Sequence, residues 1–189
     1  MQDSKTAKPD RVPEPAGAVE FTVQVTNKGV EAVTLDALVD DGQGDLDGQG
    51  TCSVSPGEVT LKPGESYECA FGATVSGNAG DIRTDTVTAA VSDDEGNRAK
   101  SAASATVTLT DVAPDIGVRV EASPDSVPES GDKVRFKVRV ANNSLEKVTV
   151  SALRAEEYGD LNGHGSCSVP EGGIQLGPKG SDSLDDSYE

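Results

Sequence analysis

The sequence contains no Trp, one Met and one His, and aromatic residues make up only 3% of its 189 positions. A core must therefore be assembled from Val, Ala, Leu and a few Phe. A glycan site that stacks sugars on exposed rings has only Tyr67, Tyr158 and Tyr188 to draw on. Basic residues are also scarce, with 16 Lys and Arg against 33 Asp and Glu and a formal net charge of -17. Nucleic-acid binding needs clustered cations to displace counterions from phosphate, so that class of partner is excluded, and an anionic membrane surface is disfavoured for the same reason. No apolar run approaches the roughly 18 residues of a membrane span. The opening Met1-Gln2-Asp3-Ser4-Lys5 has no apolar segment of the signal-peptide kind. No stretch carries the 3.6-residue period of an amphipathic helix.

What the sequence has in quantity is Val, Thr and turn formers. Branched side chains favour strands, and 21 Gly and 10 Pro supply turns. The most telling stretch is Gly44-Asp45-Leu46-Asp47-Gly48-Gln49-Gly50-Thr51-Cys52, which returns as Gly159-Asp160-Leu161-Asn162-Gly163-His164-Gly165-Ser166-Cys167, 115 residues later. The same offset aligns the chain without gaps from about residue 8 to residue 66. Val12-Pro13-Glu14 meets Val127-Pro128-Glu129, Val19, Phe21, Val23, Val25 and Asn27 meet Val134, Phe136, Val138, Val140 and Asn142, and Ala37-Leu38 meets Ala152-Leu153. The chain is a tandem repeat.

Within the first copy, Val19, Phe21, Val23 and Val25 alternate with Glu20, Thr22, Gln24 and Thr26, the period-two pattern of a strand with one buried face. Tyr67, Cys69, Phe71, Ala73 and Val75 alternate in the same way. Val87, Ala89 and Val91 lead through the turn Asp93-Asp94-Glu95-Gly96-Asn97 into Ala103, Ala105, Val107 and Leu109, a hairpin signal. About seven short strands per roughly 110 residues predict an all-β fold of immunoglobulin-like β-sandwich repeats. One repeat is near-complete and one is truncated. The expected boundaries are 1–110 for the first repeat, 111–115 for a linker, 116–181 for the incomplete second repeat and 182–189 for an acidic tail. The first strand of the first repeat is expected to be weak or missing, because Met1 to Ala7 is polar where the second copy has the apolar Ile116 to Ala122.

Val12-Pro13-Glu14-Pro15, Phe21-Thr22-Val23-Gln24-Val25-Thr26-Asn27, the Gly44-to-Cys52 stretch and Pro63-Gly64-Glu65-Ser66-Tyr67-Glu68-Cys69-Ala70-Phe71 together resemble a known family. It comprises the immunoglobulin-like repeat domains of unknown function found in arrays on large exported bacterial and archaeal surface proteins. The resemblance covers nearly the whole chain. It implies a β-sandwich, an extracellular or cell-surface setting and a stalk or adhesin-like role, and it brings no catalytic residues. The partners it implies are neighbouring repeats of the same array or other surface proteins, with the signal peptide and anchor lying outside this sequence.

Cys52 and Cys69 fall beside strands that could face each other, and a bridge between them would contribute about 3 kcal/mol in the chain-entropy model. The alternative is two buried thiols in a cytosolic protein. Cys167 is expected as a free thiol, since the position matching Cys69 is Leu184. Asp40, Asp41, Asp45 and Asp47 offer hard oxygen ligands, and Gly48 a sharp turn, so calcium is the one candidate cofactor. Against it, an EF-hand register with Gly48 at its sixth position puts Gln43 first and Val54 twelfth, where a bidentate Glu belongs. Enzyme readings find no support: His164 aligns with Gln49, and no Ser is spaced with a base as a triad requires. The expected function is a structural or adhesive module without catalysis, the alternative a calcium- or glycan-binding sandwich module.

The bridge makes a direct prediction. Thiol titration of the unreduced, denatured chain should find one thiol; finding three removes the disulfide and weakens the extracellular assignment with it.

Overall fold

A computed structural model of the chain describes residues 1–55, 57–180 and 183–188, the last six by backbone alone. The chain divides into two units, Met1–Val112 and Ala113–Glu189. The described residues contain strands and turns and no helix.

The first unit holds β1 (Gln2–Lys8), β2 (Arg11–Pro13), β3 (Ala16–Thr26), β4 (Val33–Asp40), β5 (Gly44–Asp45), β6 (Val59–Leu61), β7 (Ser66–Ser76), β8 (Ile82–Ser92) and β9 (Arg98–Thr110). One sheet runs β1-β3-β7. The other runs β2-β9-β8-β4-β5, with β6 also paired to β4. The two sheets form an immunoglobulin-like β-sandwich around a single apolar cluster. The period-two reading holds: Val19, Phe21, Val23 and Val25 are buried from β3, Cys69, Phe71 and Val75 from β7, Val87, Ala89 and Val91 from β8, and Ala105, Val107 and Leu109 from β9, while Tyr67, Ala73 and Ala103 are half-buried against the same core. Phe21 and Phe71 are register partners across β3 and β7 and stack with ring centroids 5.5 Å apart at the centre of the core. Burying each ring is worth about 1.5–3 kcal/mol.

The polar opening segment is not a missing strand. β1 pairs with β3 along its whole length, from Gln2↔Thr26 to Lys8↔Glu20. Its side chains do alternate, with the Lys5 side chain buried, but the inward residue is charged, so hydrophobic patterning passes over it.

The second unit holds β10 (Ile116–Ser123), β11 (Arg135–Asn142), β12 (Val148–Val150), β13 (Arg154–Ala155), β14 (Gly159–Asp160), β15 (Ile174–Leu176) and β16 (Ser183–Tyr188). One sheet runs β10-β11-β16, β12 pairs with β15 and β13 with β14. Val138, Val140, Val150, Leu153, Leu161, Cys167, Val169 and Leu176 form a second, separate core. The β10–β11 pair reproduces the register of β1–β3, Val120 opposing Val138 where Lys5 opposes Val23.

Residues 183–188, expected within an acidic tail, form a strand along β11, whose open edge hydrogen-bonds an extended backbone whatever side chains that backbone carries. The pairing is offset by two positions from its counterpart: Val140 opposes Leu184, whereas Val23 opposes Cys69 in the first unit. The expected end of the repeat at Ser181, the tail's first residue Asp182 and its last, Glu189, lie outside the described residues.

Ile116, Val118 and Val120 of β10 are each more than half exposed, whereas the inward residues of β3 are sealed. Backbone amides of the second unit should therefore exchange with deuterium faster than those between residues 12 and 110 of the first, because opening there exposes less additional apolar surface. Equal protection in the two units would contradict this reading.

Candidate functional site

The repeated corner is one hydrogen-bonded design executed twice. In the first unit Leu46 N–H donates to Leu38 O (3.0 Å), Gly48 N–H to Cys52 O (2.9 Å), Gln49 N–H to Leu46 O (3.0 Å) and Cys52 N–H to Gln49 O (2.8 Å). The second copies each of these: Leu161 to Leu153 (2.9 Å), Gly163 to Cys167 (2.8 Å), His164 to Leu161 (3.0 Å) and Cys167 to His164 (3.0 Å). Gly50 and Gly165 both adopt φ of 57°, in the left-handed region. At Gly50 a Cβ would lie 2.2 Å from Ala70 O, so glycine is required for the corner to seat on β7. Leu46 and Leu161 plug the corners into their respective cores. His164 is exposed, as its alignment with Gln49 implies.

Cys52 and Cys69 are bridged, with their Cα atoms 4.9 Å apart, so the disulfide ties the corner to β7. Cys167 is buried in the second core.

The four aspartates singled out for calcium do not converge. Asp45 Oδ1 accepts from Asp47 N–H (3.1 Å), and Asp47 accepts from Val54 N–H (2.8 Å) and Ser55 Oγ (3.3 Å). The copy repeats the two backbone bonds, Asp160 accepting from Asn162 N–H (3.0 Å) and Asn162 from Val169 N–H (2.9 Å), with Pro170 at the place of Ser55. Because a neutral Asn does the work of Asp47, that position serves as an acceptor and its charge is incidental. Asp40 and Asp41 instead gather with Asp85 of β8, one carboxylate oxygen of each lying within 4.8 Å of the others.

The residue the sequence pattern passes over is Lys5. Its side chain has no exposure, and Nζ donates to Asp40 Oδ2 at 2.5 Å and directly contacts Asp85 Oδ1. Asp40 is fully enclosed and its other oxygen accepts from the N–H groups of Gly42 and Gln43, each at 2.9 Å. Nζ also lies 4.7 Å from the centroid of Phe21 and 5.0 Å from that of Phe71. An ammonium group thus occupies the space between Asp40 and Asp85. The sequence signal was present only as a lysine at an even step of a two-residue alternation, and Asp85 stood alone on a strand read for its valines.

A second acidic group, Glu31 with Asp93 and Glu95, places one oxygen of each within 4.8 Å of the others. The Asn97 side chain and backbone N–H hold the Asp93 carboxyl below its usual value of 3.8, whereas the adjacent Asp94 pushes Glu95 above its usual 4.5. Glu14, from the repeated Val-Pro-Glu motif, accepts from Ala79 N–H (2.6 Å) and Val112 N–H (3.2 Å), which hold it below the ordinary 4.5. Asn142-Asn143-Ser144 has the Asn-X-Ser form of a glycosylation sequon, but the Asn142 amide donates to Glu146 O (2.6 Å) and Gly177 O (2.7 Å) and the residue is 2% exposed, so it offers no glycan attachment point.

No family model and no curated protein matches the chain. Among solved structures, the crystal structure of BcpA, the major pilin subunit of Bacillus cereus, is similar at 8% identity and a TM-score of 0.35, over 100% of this chain and 66% of that one. The chain thus spans just under two thirds of the pilin's length.

Replacing Asp47 tests the corner. Asp47→Asn should leave the denaturant midpoint nearly unchanged, while Asp47→Ala orphans the Val54 N–H and should cost about 1 kcal/mol. If Asn is as damaging as Ala, the charge matters after all.

Proposed function

We propose that the chain is a structural or adhesive repeat module of an extracellular surface protein, serving extension or presentation and not catalysis. The observation that carries this reading is the corner: one loop, with the same hydrogen bonds and the same glycine conformation, built twice at a fixed spacing in one chain. Repetition of a whole supersecondary unit is how chains gain length, and it adds copies of a scaffold in place of a unique reaction centre. The Cys52–Cys69 disulfide supports an oxidising compartment. The acidic surplus keeps such a module soluble and repels anionic surfaces.

Its partners on this reading are further repeats or other surface proteins. An epitope-tagged copy in the native host should be labelled on intact cells and removed by added protease, with Cys52 and Cys69 oxidised. Labelling only after lysis, with both cysteines reduced, would overturn the proposal.

Calcium binding is the second reading, now resting on Glu31, Asp93 and Glu95 and no longer on the corner aspartates. A ligand that binds only the folded state raises the melting midpoint. A higher midpoint in calcium than in chelator supports the reading, and an unchanged one removes it.

A further inference from the structure

We propose that Lys5 and Asp85 condense into an intramolecular amide that joins the two sheets of the first unit, with Asp40 as the proton carrier. Three observations converge on this assignment. The amine and both carboxyls meet inside the sandwich, where Phe21 and Phe71 cover the amine and none of it reaches solvent. Each partner is fixed by its strand: Lys5 opposes Val23, Asp40 opposes Val87, and Asp85 opposes Ala105. Holding an amine against a carboxyl in this way replaces a bimolecular encounter, an advantage worth effective molarities of about 10⁵–10⁸ M in well-oriented cases.

The third observation comes from the copy. Val120 stands at the place of Lys5 and Ala155 at that of Asp40, yet β10 and β11 pair in the same register as β1 and β3. The lysine is therefore not needed to build this strand pair. Nor does a buried ion pair generally outperform apolar residues of similar size in stability. A nucleophilic amine enclosed with two carboxyls accounts for what pairing and packing leave unexplained.

The reaction balances without any further reagent. One proton passes from the Lys5 ammonium to the facing oxygen of Asp40, leaving a neutral amine. The nitrogen lone pair attacks Cγ of Asp85 and the N–Cγ bond forms. Asp40 gives its proton to an Asp85 oxygen, takes a second from the nitrogen and passes that on to the same oxygen; the Cγ–O bond then breaks and water departs. Of the three ammonium protons one remains on the amide and two leave in the water, so Asp40 ends as the carboxylate it began as. The Asp85 side chain, 19% exposed, gives that water a way out, while the enclosed amine keeps bulk water from reversing the step. The contacts of Asp40 with Gly42 and Gln43 leave its other oxygen facing the amine.

The test is the intact mass of the full chain, reduced and denatured. It should fall short of the sequence mass by one water. Trypsin should release a branched peptide joining residues 1–11 to residues 84–98, because an acylated Lys5 is no longer cleaved. Lys5→Arg should have its full sequence mass, and Asp40→Ala should stay mostly unlinked. A wild-type chain at full sequence mass overturns the proposal. So does a water loss that persists in Lys5→Arg, which would place the dehydration at an Asp-Gly step such as Asp41-Gly42. A branch to Asp40 overturns the assignment of partners, and undiminished linkage in Asp40→Ala overturns the role of Asp40. The branched peptide is read from the wild-type protein, so it stands even if a variant fails to fold.

Discussion

A charge enclosed between two sheets must be answered where it lies, and in the first unit the ammonium of Lys5 is answered by Asp40 and Asp85. That requirement fixes more than one contact. The inward face of β1 delivers the amine, the ends of β4 and β8 reach the same point, and the two core phenylalanines lie around it. β1 belongs to one sheet while β4 and β8 belong to the other, so the cluster also bridges the layers of the sandwich. Apolar burial alone gives no such specificity, since Val, Ala and Leu pack in many arrangements.

The corner loop and its disulfide work at a different place by a different rule. There the determinants are glycine conformation, backbone hydrogen bonds and a leucine plug, and all three survive in the second copy even though the acidic side chain at Asp47 has become Asn162 and Cys69 has no matching cysteine. The corner is thus the feature that the two copies in this chain share, whereas the Lys5 cluster belongs to one of them. A tandem repeat can in this way keep its scaffold constant while its units differ in their interior chemistry.

Much of the first unit was legible because hydrophobic alternation reports burial directly: the inward faces of the strands carrying Phe21 and Phe71 were readable, and so was the hairpin from Val87 to Leu109. The Cys52–Cys69 bridge followed from strand placement. Two of the longer strands were not legible for related reasons. β1 turns a lysine inward, and β16 follows an acidic segment along an open edge where backbone groups decide the pairing, so neither announces itself through apolar residues. The aspartate-rich loop misled in the opposite sense. Its acids looked like ligands side by side in the sequence, but Asp45 and Asp47 close their own turn while Asp40 and Asp41 point to a strand some 45 residues away, a pairing that only the sheet register reveals.

Lys5 is held in the interior of the first unit and joins its two sheets through an amide to Asp85 on this proposal, and an atomic-resolution electron-density map tests it most directly. The expected map shows continuous, planar density from Lys5 Nζ to Asp85 Cγ beneath the Phe21 and Phe71 rings, with Asp40 alongside. A map in which the Lys5 side chain turns out to solvent, or in which Nζ and Cγ stand apart as separate groups, would contradict it.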